Sequence, residues 1–137
     1  MSQPPYPQQP PHVPAPMSPS DERMWGMFGH LSAIAASFIS LPFLGPLIIF
    51  LVFKDRSGFV RGHSAEALNM TISVIVYELA LGLVLGLFTL VTFGAGFIFL
   101  WVAWIPPVVF LVFTILAAVA ANRGEVYRYP LIFRLVR

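Results

Sequence analysis

Residues 67–93 read ALNMTISVIVYELALGLVLGLFTLVTF. The stretch holds one charged side chain, Glu78, and no proline. As a helix it is about 40 Å long, enough to cross a hydrocarbon layer of ~30 Å with some tilt. This reading makes the chain a membrane protein, and the flanking sequence falls into place around it.

Downstream, Gly94-Ala95-Gly96 is a turn, and a second apolar run extends from Phe97 to Ala121. Pro106-Pro107 interrupts it. Proline suits the first turn of a helix and disrupts its middle, so the spanning helix is expected from Ile105 to Ala121. Phe97 to Trp104 then lies at the interface, where Trp101 and Trp104 serve as anchors. A single helix kinked at the prolines is the alternative. Asn122-Arg123-Gly124 ends the helix with a basic residue and a C-cap glycine. The tail from Glu125 to Arg137 mixes basic and aromatic residues and is expected to lie along the interface.

Upstream, Arg61 to Glu66 leads into the long helix, preceded by the polar loop Lys54-Asp55-Arg56-Ser57-Gly58. Leu47 to Phe53 is apolar. Leu41-Pro42-Phe43-Leu44-Gly45-Pro46 should break any helix. Met24 to Ser40 is apolar with many small residues, which let helices approach closely. Residues 22–53 can therefore form one kinked crossing of about 48 Å or a Pro/Gly-broken hairpin, and the hairpin is favoured. Ser20 or Asp21 is placed to N-cap this first helix, and Trp25 to anchor it at the interface. Met1 to Ser20 carries eight of the thirteen prolines. It has no apolar set to bury and is expected to be a disordered tail of polyproline II character. The expected divisions are residues 1–20 (tail), 21–124 (transmembrane helical bundle) and 125–137 (interfacial tail). The fold class is all-α, an integral membrane bundle of four helical segments.

Composition agrees. Of 137 residues, 58% are hydrophobic and 10% charged, with mean hydropathy +0.81. A soluble domain carries about a quarter charged residues, so a conventional soluble enzyme is excluded. Net charge is +2. The basic residues Lys54, Arg56, Arg61, Arg123, Arg128, Arg134 and Arg137 abut apolar runs, which suits anionic lipid rather than nucleic acid. Both basic clusters are expected on the cytoplasmic side, with the N-terminus beside them in the hairpin arrangement. There is no cysteine, so thiol chemistry is excluded.

Polar residues in apolar helices are functional suspects. Glu66, Asn69, Ser73 and Tyr77 recur at spacings of three, four and four, which puts them on one helix face. They are expected to bond to a neighbouring helix or to line a wet cleft. Glu78 lies ~18 Å beyond Glu66. It is expected to be protonated, paired or hydrated. Gly82 and Gly86 share its face as a helix-packing strip. His63 is expected at the interface, and His30 could meet Asn69 or Glu66. His63 and Glu66 supply two metal ligands where a site needs three or four. No catalytic constellation is visible, and no metal or cofactor is expected.

Three ordered sets of residues carry a family resemblance. They are Asp21 to Trp25 with Gly29-His30-Leu31; Gly45 to Ile49, Lys54-Asp55, Phe59 to His63 and Glu66 to Asn69; and Ala121 to Glu125 with Tyr127 to Pro130. Over residues 20–137 the chain resembles a family of small bacterial membrane proteins of unknown function, distantly similar to the Tic-twenty subunit of the chloroplast import translocon. The resemblance implies a four-helix membrane bundle with both ends on one side. The expected function is that of a non-enzymatic, multi-pass cell-membrane protein acting as an accessory or interaction subunit. Its expected partners are the lipid bilayer and other membrane helices, from another protein or a second copy, and not nucleic acid. The alternative is a conduit for a small solute, proton or polypeptide that uses Glu78.

Overall fold

A computed structural model describes residues 15–137. Most of the expected Pro-rich tail, residues 1–14, lies outside the described residues. The described chain is helical, with the elements α1 (Pro19–Ser37), α2 (Leu44–Phe53), α3 (Gly58–Val91), a 3₁₀ segment (Ala95–Trp104) and α4 (Ile105–Arg123).

Helix α1 begins earlier than expected. Its N-cap is Ser18, not Ser20 or Asp21, and the Ser18 hydroxyl accepts from the Asp21 amide at 3.2 Å. Pro19 follows with its φ already fixed for a helix, and Asp21 and Glu22 face the positive dipole end. The helix ends at Ser37, and Ser40 turns the chain with φ 60°.

Residues 22–53 form the hairpin, not the single crossing. Trp25, near the start of α1, stacks on Phe53, the last residue of α2, with ring centroids 4.5 Å apart. At the closed end Gly45 sits against α1. A Cβ there would lie 2.5 Å from the Ser32 carbonyl oxygen. The ten residues of α2 amount to about 15 Å of helix.

Helix α3 is N-capped by Ser57, whose hydroxyl accepts from the Val60 amide at 3.2 Å and donates to Glu22 Oε1 at 2.6 Å. That second bond ties the start of α3 to the start of α1. Gly26 and Gly29 allow the two helices to touch. A Cβ on Gly29 would be 3.1 Å from Ser64 Oγ, and one on Gly26 would be 2.8 Å from the Phe59 ring.

The 34-residue α3 divides into two unlike halves. From Val60 to Ser73 most side chains are buried against α1, α2, α4 and the C-terminal tail. From Val76 onward most of its large apolar residues are exposed, Leu79 and Val91 among them, with Leu85 buried. This outer half pairs with the 3₁₀ segment and the start of α4 as a protruding apolar hairpin. Gly94, with φ 96°, turns between the arms, as expected of Gly94-Ala95-Gly96. At 2.0 Å per residue in the 3₁₀ segment and 1.5 Å in α4, the returning arm is about 48 Å long, against about 51 Å for α3.

The prolines account for that 3₁₀ segment. Pro106 and Pro107 have no N–H to bond Val102 and Ala103, and their rings crowd those carbonyls. An α-helix can start at Ile105 with the prolines in its first turn, while the preceding residues tighten into 3₁₀. The helical run is thus continuous through the prolines, as in the single-helix alternative, while α4 itself starts at Ile105 as expected. Two helical stretches, Gly58–Val91 and Ala95–Arg123, are long and apolar enough to cross a membrane. The chain is an all-helical bundle of membrane type.

Candidate functional site

The starts of α1 and α3 and the ends of α2 and α4 meet at one end of the molecule. Arg23 on α1 reaches Gly124 after α4, and Trp25 reaches Phe53. All eight basic residues gather toward this end, and from Ala67 to Asn122 the only charged side chain is Glu78.

At this end the C-terminal tail packs against α3. It descends along α3, turns at Pro130-Leu131, where Leu131 has φ 53°, and climbs back. The polar stripe of α3 holds it throughout, so the stripe faces the tail's backbone rather than another helix. Glu66 accepts from the Tyr129 amide at 3.3 Å, and Ser73 Oγ from the Phe133 amide at 2.8 Å. Asn69 Oδ1 accepts from the Leu135 and Val136 amides at 2.9 and 2.8 Å, and its Nδ2 donates to the Val136 carbonyl at 2.8 Å. Tyr77 donates to the Leu131 carbonyl at 2.6 Å. Arg134 pairs with Glu66 at 3.0 Å and donates to the Tyr129 carbonyl at 3.0 Å, so it is not a purely lipid-facing cation.

A physical necessity explains this pattern. The stripe runs about 16 Å along α3 from Glu66 to Tyr77, and a non-helical backbone laid against an apolar helix needs its polar groups satisfied by protein. The stripe supplies those partners, while Leu131, Phe133 and Leu135 keep apolar side chains outward.

Under the tail lies a buried polar chain. His30 meets neither Asn69 nor Glu66. Its Nε2 is 2.9 Å from His63 Nδ1, and its Nδ1 is 2.9 Å from the Tyr129 hydroxyl. His63 is buried as well. Its Nε2 has no hydrogen-bond partner, although the backbone of Glu125 approaches the ring. Burial pushes the Tyr129 phenol above its ordinary range, which keeps it a protonated hydroxyl beside Thr114. The sequence reading missed Tyr129 and Thr114. Thr114 carried a usable signal, since it is the lone polar side chain between Ile105 and Ala121. Tyr129 did not, because no helical period links it to His30.

His63 and Glu66 also line a cleft of about 450 Å³ together with Arg128, Arg134 and Arg137. A second cavity, of about 490 Å³, lies between the α1–α2 turn, α3 and α4. Glu78 lines it, and the Glu78 Oε1 is buried there without a hydrogen-bond partner. Its walls are largely apolar, with Ser37, Ser40 and Thr71 adding hydroxyls. Among the described residues Gly82 and Gly86 pack on nothing, and a Cβ on either would meet no atom within 4 Å. Lys54, Arg56, Arg61, Arg123, Arg128 and Arg137 are exposed. Among the described residues no group of three or more His, Asp or Glu is placed to hold a metal ion.

The chain matches no curated protein and no solved structure. A family model for magnetosome magnetite crystal formation proteins matches residues 21–136. That match covers nearly the whole stretch that carried the sequence resemblance, and nothing in the comparisons supports a likeness to Tic-twenty. The chain belongs to the MamF/MmsF magnetosome magnetite crystal formation protein family.

Proposed function

We propose that this chain is a non-enzymatic, multi-pass accessory subunit of a membrane assembly, in the membrane where magnetite crystals form. The observation that carries the reading is the outer half of α3. It projects from the packed end of the molecule, exposes large apolar side chains and leaves Gly82 and Gly86 uncovered. Small residues four apart let another membrane helix approach closely, and nothing among the described residues uses them. The polar side chains of the stripe are spent on the tail, which supports a structural role for them rather than a catalytic one. The basic end faces the cytoplasm in this reading, because lysine and arginine beside spans are retained there.

The test is copurification from mild detergent. Gly82→Leu with Gly86→Leu fills the strip without touching the chain's own core, so the fold survives and the bound membrane proteins are lost. An unchanged set of copurifying proteins would overturn the reading.

The Glu78 cavity favours a second reading, a conduit for a proton or small cation. A carboxylate oxygen buried without a partner beside a cavity is the feature such a site needs. Here Glu78→Gln should abolish flux into proteoliposomes and leave the copurifying set intact. Unchanged flux would remove Glu78 from consideration.

A further inference from the structure

We propose that the cleft at the N-terminal end of α3 binds the phosphate group of one anionic phospholipid. The inference does not depend on the accessory role. Three guanidinium groups line the cleft, those of Arg128, Arg134 and Arg137, and its one side-chain carboxylate is Glu66. Glu66 is already committed to Arg134 and the Tyr129 amide. Arg128 and Arg137 have no ion-pair partner among the described residues.

Two further features point to an anion. Gly58 and Gly62 line the cleft on the first turns of α3, and a Cβ on either would meet nothing within 4 Å. The helix start, with its positive dipole end and the amides of Gly58 and Phe59, therefore stays uncovered on that side, the Val60 amide being capped by Ser57. Independently, His63 lines the same cleft while only 3% exposed, and its Nε2 lacks a partner. The Glu125 backbone approaches this ring without meeting hydrogen-bond geometry, and a phosphate oxygen would supply the acceptor. With the proton on Nε2, Nδ1 of His63 accepts from His30 Nε2, and His30 Nδ1 accepts from the Tyr129 hydroxyl. Every polar atom of that buried chain is then satisfied in one direction, so the bound anion would fix its polarity.

The remaining lining selects a lipid over a free ion. Phe59, Val126, Tyr127 and Val136 place apolar surface beside the charges. The cleft opens at the charged end of two membrane-crossing stretches, where phospholipid headgroups lie. A glycerophospholipid presents phosphate and hydrocarbon together, and arginine is suited to phosphate.

The test is native mass spectrometry of the full chain, purified in detergent and titrated with phosphatidylglycerol or phosphatidylcholine. The chain should retain one phosphatidylglycerol, and phosphatidylcholine should bind about tenfold more weakly. Arg128→Gln with Arg137→Gln should weaken phosphatidylglycerol about tenfold or more, whereas Lys54→Gln with Arg56→Gln, an equal charge loss outside the cleft, should change it less than about threefold. Gly62→Glu, which projects a carboxylate into open space, should also abolish retention. Equal binding of the two lipids, or equal losses in the two double variants, would overturn the proposal. Displacement of the lipid by millimolar inorganic phosphate would overturn the lipid assignment in favour of a free phosphate site.

Discussion

His30 Nε2 and His63 Nδ1 lie 2.9 Å apart, joining α1 to α3 by a hydrogen bond between two buried rings. The contact depends on Gly26 and Gly29, which bring the two helices close enough for imidazoles to meet. Tyr129 completes the chain from the C-terminal tail, so three distant parts of the sequence share one polar cluster.

Tyr129→Phe keeps the ring that fills the core and removes the hydroxyl. His30 Nδ1 is then buried without a partner, which costs about 1–3 kcal/mol. The expected result is a lower thermal midpoint in detergent with unchanged helix content by circular dichroism. Tyr129→Leu should cost more, because packing against Met70 and Ala117 is lost as well. A Phe variant as stable as the parent would mean that the hydroxyl is not needed to satisfy His30.

Asn69 makes three bonds to the tail backbone at Leu135 and Val136. Asn69→Leu removes all three in an otherwise helical and apolar setting, so α3 persists while the end of the tail detaches. Hydrogen exchange at residues 133–136 should accelerate by about tenfold or more, with α3 and α4 protected as before. The Ser73→Ala variant, losing one bond to Phe133, should show a smaller acceleration centred on that residue.

Much of this was legible in advance, and the reasons are physical. Hydropathy fixes the long apolar helices because a bilayer demands length and the absence of charge. Pro42, Gly45 and Pro46 announce the hairpin because local backbone chemistry decides where a helix breaks. The period of Glu66, Asn69, Ser73 and Tyr77 identifies one helix face correctly. What that face meets was not legible. A stripe of hydrogen-bonding groups reads the same whether its partner is a helix, water or an extended strand. The tail's own composition, basic and aromatic, suggested a surface segment. The buried His30–His63–Tyr129 cluster joins residues 33 and 99 positions apart, a separation no periodicity encodes. The Gly82–Gly86 strip reads as a helix-packing surface, but spacing alone does not say whether the opposing helix belongs to the same chain.

Glycines test the packing directly. Gly45→Ala would place a Cβ 2.5 Å from the Ser32 carbonyl oxygen, a backbone atom that cannot swing aside. The α1–α2 hairpin must then open, and a loss of about 1–3 kcal/mol is expected from such overpacking. Gly86→Ala adds its methyl group to open space on an exposed helix face, where alanine is the better helix former by about 1 kcal/mol. The two variants should therefore move the thermal midpoint in opposite directions. Equal effects would contradict the close approach of α2 to α1.

The chain's lack of cysteine makes topology measurable with single substitutions. Asp55 sits in the exposed loop between α2 and α3, and Phe93, 101% exposed, stands at the tip of the protruding hairpin. About 50 Å of helix separates the two levels, more than a hydrocarbon layer of ~30 Å. Asp55→Cys and Phe93→Cys should therefore react with a membrane-impermeant maleimide from opposite faces of a sealed vesicle. Ser57 and Gly96 are poorer positions. Ser57 caps α3, and a Cβ on Gly96 would lie 2.6 Å from Thr89. Labelling of both cysteines from one face would mean that α3 does not cross, and the two-span arrangement would fall with it.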